Sequence, residues 1–134
     1  MAYTIKQSGR TLNTSLYTID DRKKTFQSLE DNLELDFTGL SGWSFDILGC
    51  AWCSLSGGDS CTVIAGNKDN FRFGDSCDFD AGWGCTFITG NFCTFKTHGR
   101  LSRFDTGERC TFNCPGNDND FTKIGRDGTI HRYR

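Results

Sequence analysis

Hydrophobic and polar residues alternate in short groups that recur every eight residues along the middle of the chain. Counted from successive glycines, the template is G-x-x-C-x-[F/V]-x-x, and it is clearest in Gly82-WGCTFIT and Gly90-NFCTFKT. In a strand, the first and third residues of C-T-F point to one face and the second residue to the other. We therefore expect Cys and Phe inside, Thr or a charged residue outside, and a turn at each glycine. Because one unit cannot bury its own inner face, the repeat predicts an all-β solenoid whose units stack.

The number of units in a coil decides which residues stack. Eight residues are too few to enclose packed phenylalanines, so we favour two units per coil, about five coils and stacked positions 16 or 17 residues apart. A coil of three units and either handedness remain open. Asp69, Ser102 and Asn119 take Cys positions in this registration. The predicted ladder residues are Cys61, Cys77, Cys93, Cys110, Phe79, Phe95 and Phe112 on one side, and Cys53, Cys85, Phe71, Phe87, Phe104 and Phe121 on the other.

Residues 1–40 lack the eight-residue pattern. Within this segment, residues 20–33 begin with two aspartates and place Phe26, Leu29 and Leu33 at helical spacing, whereas residues 33–37 alternate as a strand does. Solenoid ends expose strand edges, which proteins usually cover. We therefore interpret 1–40 as a small α/β capping segment and 41–134 as the solenoid with a polar C-terminal tail.

Composition and charge narrow the function classes. The 134 residues include 16 Gly, 12 Phe and 8 Cys but only 1 Pro, which argues against both a helical bundle and a disordered chain. The net charge of −2 gives no general bias toward nucleic acid. The first ten residues contain no apolar run typical of a signal peptide, and no stretch approaches a membrane span. We expect an intracellular protein with reduced thiols and no membrane contact.

The run CTFITGNFCTFKT resembles a family of short, mostly uncharacterised phage and prophage proteins built from repeated CTF-x-T-G-x-x units. The resemblance covers about residues 58–121, and the chain departs from the motif by two insertions and by the polar residues in Cys positions. It implies a β-solenoid of viral origin, in the host cytoplasm or in the virion. It implies no catalytic residue.

Cysteine and aspartate clusters suggest metal sites, but the repeat argues against them. The pairs Cys50–Cys53 and Cys110–Cys114 lie about seven half-coils apart, roughly 17 Å at the strand spacing, which is too far for one tetrahedral zinc ion. Asp118 and Asp120, together with Asp69, suggest calcium, but calcium-binding solenoids carry an aspartate in nearly every unit, whereas this chain holds Cys at that position. We expect neither a metal nor another cofactor.

Catalysis and nucleic-acid binding find little support in the residues. A redox pair at Cys50 and Cys53 would sit inside the β repeat rather than at a helix start. His98 and His131, the chain's two histidines, fall in a turn and in the tail, where surface roles are expected. A flat row of threonines that could bind ice would be interrupted by Asp78. The basic residues of 96–134 have acidic neighbours and form no dense run, which argues against a nucleic-acid surface. We expect no enzyme, and nucleic acid is not an expected partner.

Four aromatic residues lie off the inward register, namely Trp43, Trp52, Trp83 and Phe92. Exposed aromatic side chains are costly unless a partner or a cap covers them, and they are enriched at protein interfaces. We predict a protein-binding surface, with Trp83 and Phe92 favoured because Trp43 and Trp52 could lie beneath the cap. The expected function is a non-enzymatic, rigid virion accessory component, such as a capsid decoration, tail or spike protein. The alternative is a soluble phage inhibitor of a host defence or nucleic-acid-processing enzyme, and the partner is another protein, viral or host, or a second copy of the chain.

Overall fold

The computed structural model describes residues 3–114 and 118–131, with His131 described as backbone only. The described residues are all-β, with one 3-10 helical turn at Thr14–Leu16. The strands are β1 (Thr4–Gln7), β2 (Arg10–Thr11), β3 (Tyr17–Asp20), β4 (Thr25–Ser28), β5 (Leu33–Asp36), β6 (Ser44–Ile47), β7 (Ser54–Ser56), β8 (Thr62–Ala65), β9 (Asn70–Arg72), β10 (Asp78–Ala81), β11 (Thr86–Ile88), β12 (Thr94–Thr97), β13 (Arg103–Asp105), β14 (Thr111–Asn113), β15 (Asp120–Lys123) and β16 (Thr129–His131).

Successive strands alternate between two facing sheets, so the chain winds as a β-solenoid. One sheet, here sheet A, has the order β15-β13-β11-β9-β7-β5-β1-β2, and the other, sheet B, has the order β16-β14-β12-β10-β8-β6-β4-β3. Parallel registers join equivalent residues of successive coils, such as Phe79 to Phe95 and Phe71 to Phe87. A coil therefore contains two eight-residue units, and the described strands make about six coils. The preferred two-unit coil is confirmed, with about one coil more than expected.

Phenylalanine rings fill the space between the sheets in a regular pattern. Within a sheet the rings stack, as Phe79 and Phe95 do at 5.1 Å and 5° and Phe87 and Phe104 do at 5.1 Å and 3°. Across the sheets they meet edge to face, as Phe87 and Phe95 do at 5.1 Å and 69°. Both arrangements suit the quadrupole of an aromatic ring. Every predicted ladder residue is buried except Phe121, which is half-buried beside the last coils.

The cysteines beside these rings join neighbouring coils through hydrogen bonds. The Cys77 thiol accepts from the Cys61 N–H at 3.4 Å and donates to the Gly58 carbonyl at 3.4 Å. All eight cysteines are free and buried. The residues that replace Cys keep the acceptor: Cys53 N–H donates to Asp69 Oδ1, Cys85 N–H to Ser102 Oγ, and Ser102 N–H to Asn119 Oδ1. The departures from the repeat therefore preserve its hydrogen bonding.

The repeat glycines are required for close packing between coils rather than for a left-handed backbone. A Cβ at Gly74 would collide with Asp59 Oδ1, and one at Gly58 would lie 2.9 Å from the Leu40 carbonyl. The positive φ of the repeat turns falls two residues after the glycine, immediately before the Cys position, and non-glycine residues adopt it in every described repeat turn except at Gly84. These left-handed residues include Trp52, Lys68 and Phe92, with φ of 63°, 57° and 61°.

The N-terminal segment differs from the expected α/β cap because its described residues, 3–40, contain no α-helix. Residues 25–28 form β4, whose Phe26 is buried and pairs with Phe45, whereas Leu29 is 75% exposed. Asp20 Oδ1 accepts from two nearby backbone N–H groups in a turn, so the acidic start does not begin a helix. Burial against the next coil at a period of two outweighs the helical spacing. The strand expected over 33–37 is confirmed as β5.

The parallel ladder begins with β4 and β5, inside the segment interpreted as the cap. The first coil is covered by antiparallel strands, because β1 pairs with β2 and β5, and β3 pairs with β4. At the other end, β16 joins sheet B within the expected polar tail. Residues 132–134 of that tail lie outside the described residues.

Candidate protein-binding edge

The solenoid has two long edges, formed by the turns between its sheets. Turns from sheet B to sheet A carry Trp52, Lys68, Trp83 and Leu101, which precede β7, β9, β11 and β13, and we call this the tryptophan edge. Turns from sheet A to sheet B form the opposite edge, where Phe92 precedes β12. Trp83 and Phe92 therefore do not share a surface, whereas Trp83 and Trp52 do.

Trp52 and Trp83 lie on either side of the Lys68 side chain. The Lys68 ammonium is 4.5 Å from the Trp52 ring centroid and 4.8 Å from that of Trp83. Trp52 is 59% exposed and Trp83 39% exposed, so both rings keep area open to solvent. Each cation–π contact at an exposed site contributes about 0.5–1 kcal/mol. The three side chains form an ordered cluster rather than isolated surface residues.

The backbone of this edge is held by hydrogen bonds between coils. Lys68 N–H donates to the Trp83 carbonyl at 2.9 Å, and Trp83 N–H donates to Asn67 Oδ1 at 3.0 Å. Trp52 N–H donates to the Asn67 carbonyl at 3.4 Å. Side chains on successive coils are thereby kept one strand spacing apart, about 4.8 Å.

Apolar and basic residues extend the cluster along the edge. Leu48 and Leu101 are 63% and 50% exposed, and Arg100 follows Trp83 in the next coil and is also exposed. The exposed acidic residues in the turns of this edge, Asp31 and Asp118, lie toward its two ends, whereas Glu30 is half-buried beside Asp31 and Asp69 is buried beside Lys68. The centre of the edge is therefore aromatic and positively charged.

The other two predicted contact residues do not belong to this cluster. Trp43 is buried, with its ring 5.0 Å from Phe37 and 5.7 Å from Tyr3, so its assignment to a contact surface is wrong. Trp43 lies beneath the N-terminal segment, where its ring is part of the hydrophobic core. Phe92 is 55% exposed, and its ring centroid lies 6.0 Å from the Arg109 guanidinium.

The chemically reactive side chains are buried or already paired. Cys50 and Cys53 are both buried, and the Cys50 thiol donates to the Ser28 carbonyl at 3.2 Å. A hydrogen bond from Cys50 to Cys53, together with burial, raises the pKa of the Cys50 thiol. Burial also raises the pKa of Cys85 to about 12. Such thiols are protonated at neutral pH and are poor nucleophiles.

The polar groups considered for metal or catalytic roles lie apart from one another. Asp120 Oδ1 accepts from the Thr122 N–H and hydroxyl, which lowers its pKa, whereas Asp69 is buried against Cys53. His98 Nε2 lies 2.6 Å from Asp80 Oδ1 on the surface, and the His131 side chain is outside the described residues. Within residues 3–114 and 118–131, no group of three or more His, Cys, Asp or Glu side chains could hold a metal ion.

Lys68 was not among the predicted contact residues, because that prediction rested on aromatic residues alone. The signal that could have identified it is the spacing of 16 residues between Trp52 and Lys68, which a two-unit coil places in neighbouring turns.

Comparison of the chain with protein-family models, with curated proteins and with solved structures found no match. In the described part of the chain, no helix is long and apolar enough to cross a membrane.

Proposed function

We propose that this protein is a non-enzymatic, rigid binding module that contacts another protein through the tryptophan edge. The observation that carries this proposal is the exposed Trp52–Lys68–Trp83 cluster. Large exposed aromatic side chains that are already ordered contribute contact area at little further entropic cost. The edge is part of a hydrogen-bonded solenoid, so it presents a preformed surface.

The role that fits this module best is a virion accessory component, such as a capsid decoration, tail or spike protein. The repeat's resemblance to short phage and prophage proteins supports a viral origin. A stacked-coil fold supports a structural role, because each coil is held by hydrogen bonds to both neighbours and stays rigid without disulfides.

A second candidate is a soluble inhibitor of a host enzyme, and the outer face of sheet B supports it. Asp78 and Asp80 point outward from β10, and Asp46 lies in the same outward row of that sheet two coils earlier. These outward carboxylates, on one sheet face and two coils apart, could contact a basic groove, such as that of a nucleic-acid-processing enzyme. This role uses a different face from the tryptophan edge.

Two matched variants test the binding surface. Trp52 and Phe92 are both exposed aromatic residues with left-handed backbones, but they lie on opposite edges. Asn tolerates this backbone, so Trp52→Asn and Phe92→Asn should both fold. Affinity-tagged wild type and both variants are produced in cells that carry the gene, and captured proteins are identified by mass spectrometry. We expect a partner that wild type and Phe92→Asn retain and Trp52→Asn loses; equal capture by all three overturns the assignment of the edge.

The two roles are separated by the composition of purified viral particles. A virion component is present in the particles at a fixed ratio to the major capsid protein. An inhibitor is absent from them, and its captured partner is a host enzyme whose activity falls when the protein is added. Capture that depends on Asp78 and Asp80 rather than on Trp52 would favour the inhibitor.

A further inference from the structure

The central part of the tryptophan edge combines unpaired positive charge with exposed apolar area. Among the described residues, neither Lys68 nor Arg100 forms an ion pair. The Lys68 ammonium contacts two ring faces, which attract a cation but accept no conventional hydrogen bond from it. Its N–H donors remain available to an acceptor from outside the chain.

In the turns of this edge, no exposed acidic residue lies within one coil of Lys68: Asp69 beside it is buried, Asp31 lies two coils before it, and Asp118 lies one coil after Leu101. Asp31 Oδ1 accepts from the Ala51 N–H, which places Asp31 one coil before Ala51. Ala51 in turn lies one coil before Asn67 and Lys68, so Asp31 lies two coils before them. Two coil steps correspond to about 10 Å, which is comparable to the Debye length at physiological ionic strength. Lys68 is therefore the cation of this edge whose charge is least offset, whereas Arg100 lies about one coil from Asp118.

The length of the cluster matches a short extended segment. From Trp52 to Leu101 the edge spans three coil steps through Lys68 and Gly84, about 14 Å at the strand spacing. An extended chain covers this distance with about four or five residues. A segment of that length can place side chains against both tryptophans and Leu101 while a carboxylate reaches Lys68.

From this arrangement we propose that the tryptophan edge binds an extended peptide segment of its partner that carries both carboxylate and large apolar side chains. The carboxylates pair with Lys68 and Arg100, and the apolar side chains pack on Trp52, Trp83 and Leu101. The inference rests on the proposed function and names the chemistry of the partner at the same surface. Charge complementarity identifies the occupant, since a basic or purely polar segment leaves both cations unpaired.

Single-stranded nucleic acid also combines negative charge with stacking surfaces, but this edge suits it poorly. Strand binding relies on a groove with many cations, whereas the centre of this edge carries two and the chain has a net charge of −2. Lys68 also occupies the space between the two tryptophan rings, where a base would have to stack. An acidic peptide needs neither a long cationic groove nor that space.

The test measures fluorescence anisotropy with a short, fluorescein-labelled peptide in which pairs of Glu alternate with pairs of Phe, so that each face of the extended segment carries both side chains. Comparison probes are the Lys/Phe peptide, the Glu/Ser peptide and an oligothymidylate of similar length. We expect the Glu/Phe peptide to bind most tightly, with affinity that falls as salt is added. Binding of the Lys/Phe peptide or the oligothymidylate at equal or higher affinity overturns the proposal, as does no binding of the Glu/Phe peptide.

Variants assign the binding to the edge. Lys68→Asn removes the cation and tolerates the left-handed backbone of that position, and it should weaken Glu/Phe binding by about fivefold. Lys68→Arg should retain the affinity, and Phe92→Asn on the opposite edge should leave it unchanged. Equal affinity of wild type and Lys68→Asn contradicts the proposal. If the peptide fails but capture of a protein still depends on Trp52, only this inference fails and the proposed function stands.

Discussion

Asp69 Oδ1 accepts a hydrogen bond of 2.8 Å from the Cys53 backbone N–H, one coil earlier. Asp69 occupies a position where neighbouring coils use a cysteine thiol, and it is completely buried. Its second oxygen, Oδ2, is buried and has no hydrogen-bond partner among the described residues. Burial raises the pKa of Asp69 to about 7, with a further contribution from Asp31 and opposing hydrogen bonds from backbone N–H groups. The burial of Asp69, which the hydrogen bond from Cys53 only partly offsets, therefore gives the fold a pH-dependent element.

The Asp69 carboxyl should make the protein less stable as the pH rises from about 4 to about 7. In this window an unfolded Asp69 loses its proton while the folded one keeps it, so ionisation favours the unfolded state. The protonated group's contribution is full below about pH 4 and is lost as the pH rises through about 7. The loss is up to about 4 kcal/mol, from the shift of roughly three pKa units.

Asp69→Asn tests this dependence because the amide keeps an acceptor for Cys53 and does not ionise. Urea unfolding of wild type and variant is compared at pH 5 and pH 7.5. The nearby titratable groups Asp31, Cys50 and Cys53 are present in both proteins, so their effects largely cancel in the difference. We expect the variant to gain stability relative to wild type at the higher pH. Parallel pH profiles for the two proteins would show that Asp69 is not the group responsible.

Gly74→Ala should destabilise the protein because its new Cβ collides with the Asp59 carboxylate. That carboxylate cannot simply turn away, since Asp59 Oδ1 accepts from the Asp75 N–H at 2.8 Å. Overpacking of this kind costs about 1–3 kcal/mol. The measurement is the free energy of unfolding of Gly74→Ala alone and in an Asp59→Ala background. The glycine substitution should cost less in that background, and strictly additive costs would exclude the proposed collision.

Phe95→Ala should be among the most damaging single substitutions in the core. Phe95 is completely buried and stacks on Phe79 and Phe112 at 5.1 and 5.0 Å. Removing such a ring costs about 3–5 kcal/mol. Phe121→Ala is the matched control because Phe121 is only half-buried beside the last coils, and it should cost clearly less in urea unfolding. If Phe95→Ala and Phe121→Ala lowered the free energy of unfolding equally, the packing of the core would not weaken toward the last coils, and this prediction would be wrong.

The thiols should react slowly with Ellman's reagent while the protein is folded. All eight cysteines are free and buried, and burial raises the pKa of Cys85 and Cys114. Full reaction should require denaturant, since it needs an exposed thiolate. Rapid reaction of several thiols in native buffer would be inconsistent with an interior cysteine ladder. The same protein in denaturant gives the full titre and serves as the control.

Trp52→Asn and Phe92→Asn should both unfold cooperatively with stability within about 1 kcal/mol of wild type. Each substitution relieves an unfavourable left-handed backbone, with φ of 63° and 61°, and each removes an exposed ring. Both substitutions lose a cation–π contact, and the Trp52–Lys68 contact at 4.5 Å is closer than the Phe92–Arg109 contact at 6.0 Å, so Trp52→Asn should be the less stable of the two. Thermal and urea unfolding check this expectation. A variant that loses cooperative unfolding would be unsuitable as a binding control.

Much of the interior could be predicted from the eight-residue period because strand alternation is a local property. The C-T-F pattern places Cys77 and Phe79 on one face whatever surrounds them. The helix expected over residues 20–33 failed for the complementary reason: Phe26 is held in a strand by the neighbouring Phe45, a contact that local spacing does not contain. Trp43 was misassigned in the same way, because the strands that cover it come from the chain's first residues.

The candidate site depended on distances that no local pattern specifies. Which turns share an edge follows from the number of units in a coil, and the sequence left two and three units open. Two units place Trp52 beside Lys68 and move Phe92 to the opposite edge. The polar residue at Asp69 could be recognised as a departure from the repeat, but its unpaired oxygen becomes visible only when the neighbouring coil is in place.

The sequence by itself determined the period, the strand faces and the residues of the two core ladders, since these depend on backbone geometry within a few residues. Only the tertiary structure decided how the coils close, how the N-terminal strands cover Trp43, and which side chains meet at the tryptophan edge. The physical reason is that these features arise from contacts between residues 16 or more positions apart, such as Trp52 and Lys68. Their energies depend on how coils stack rather than on the preferences of any one segment.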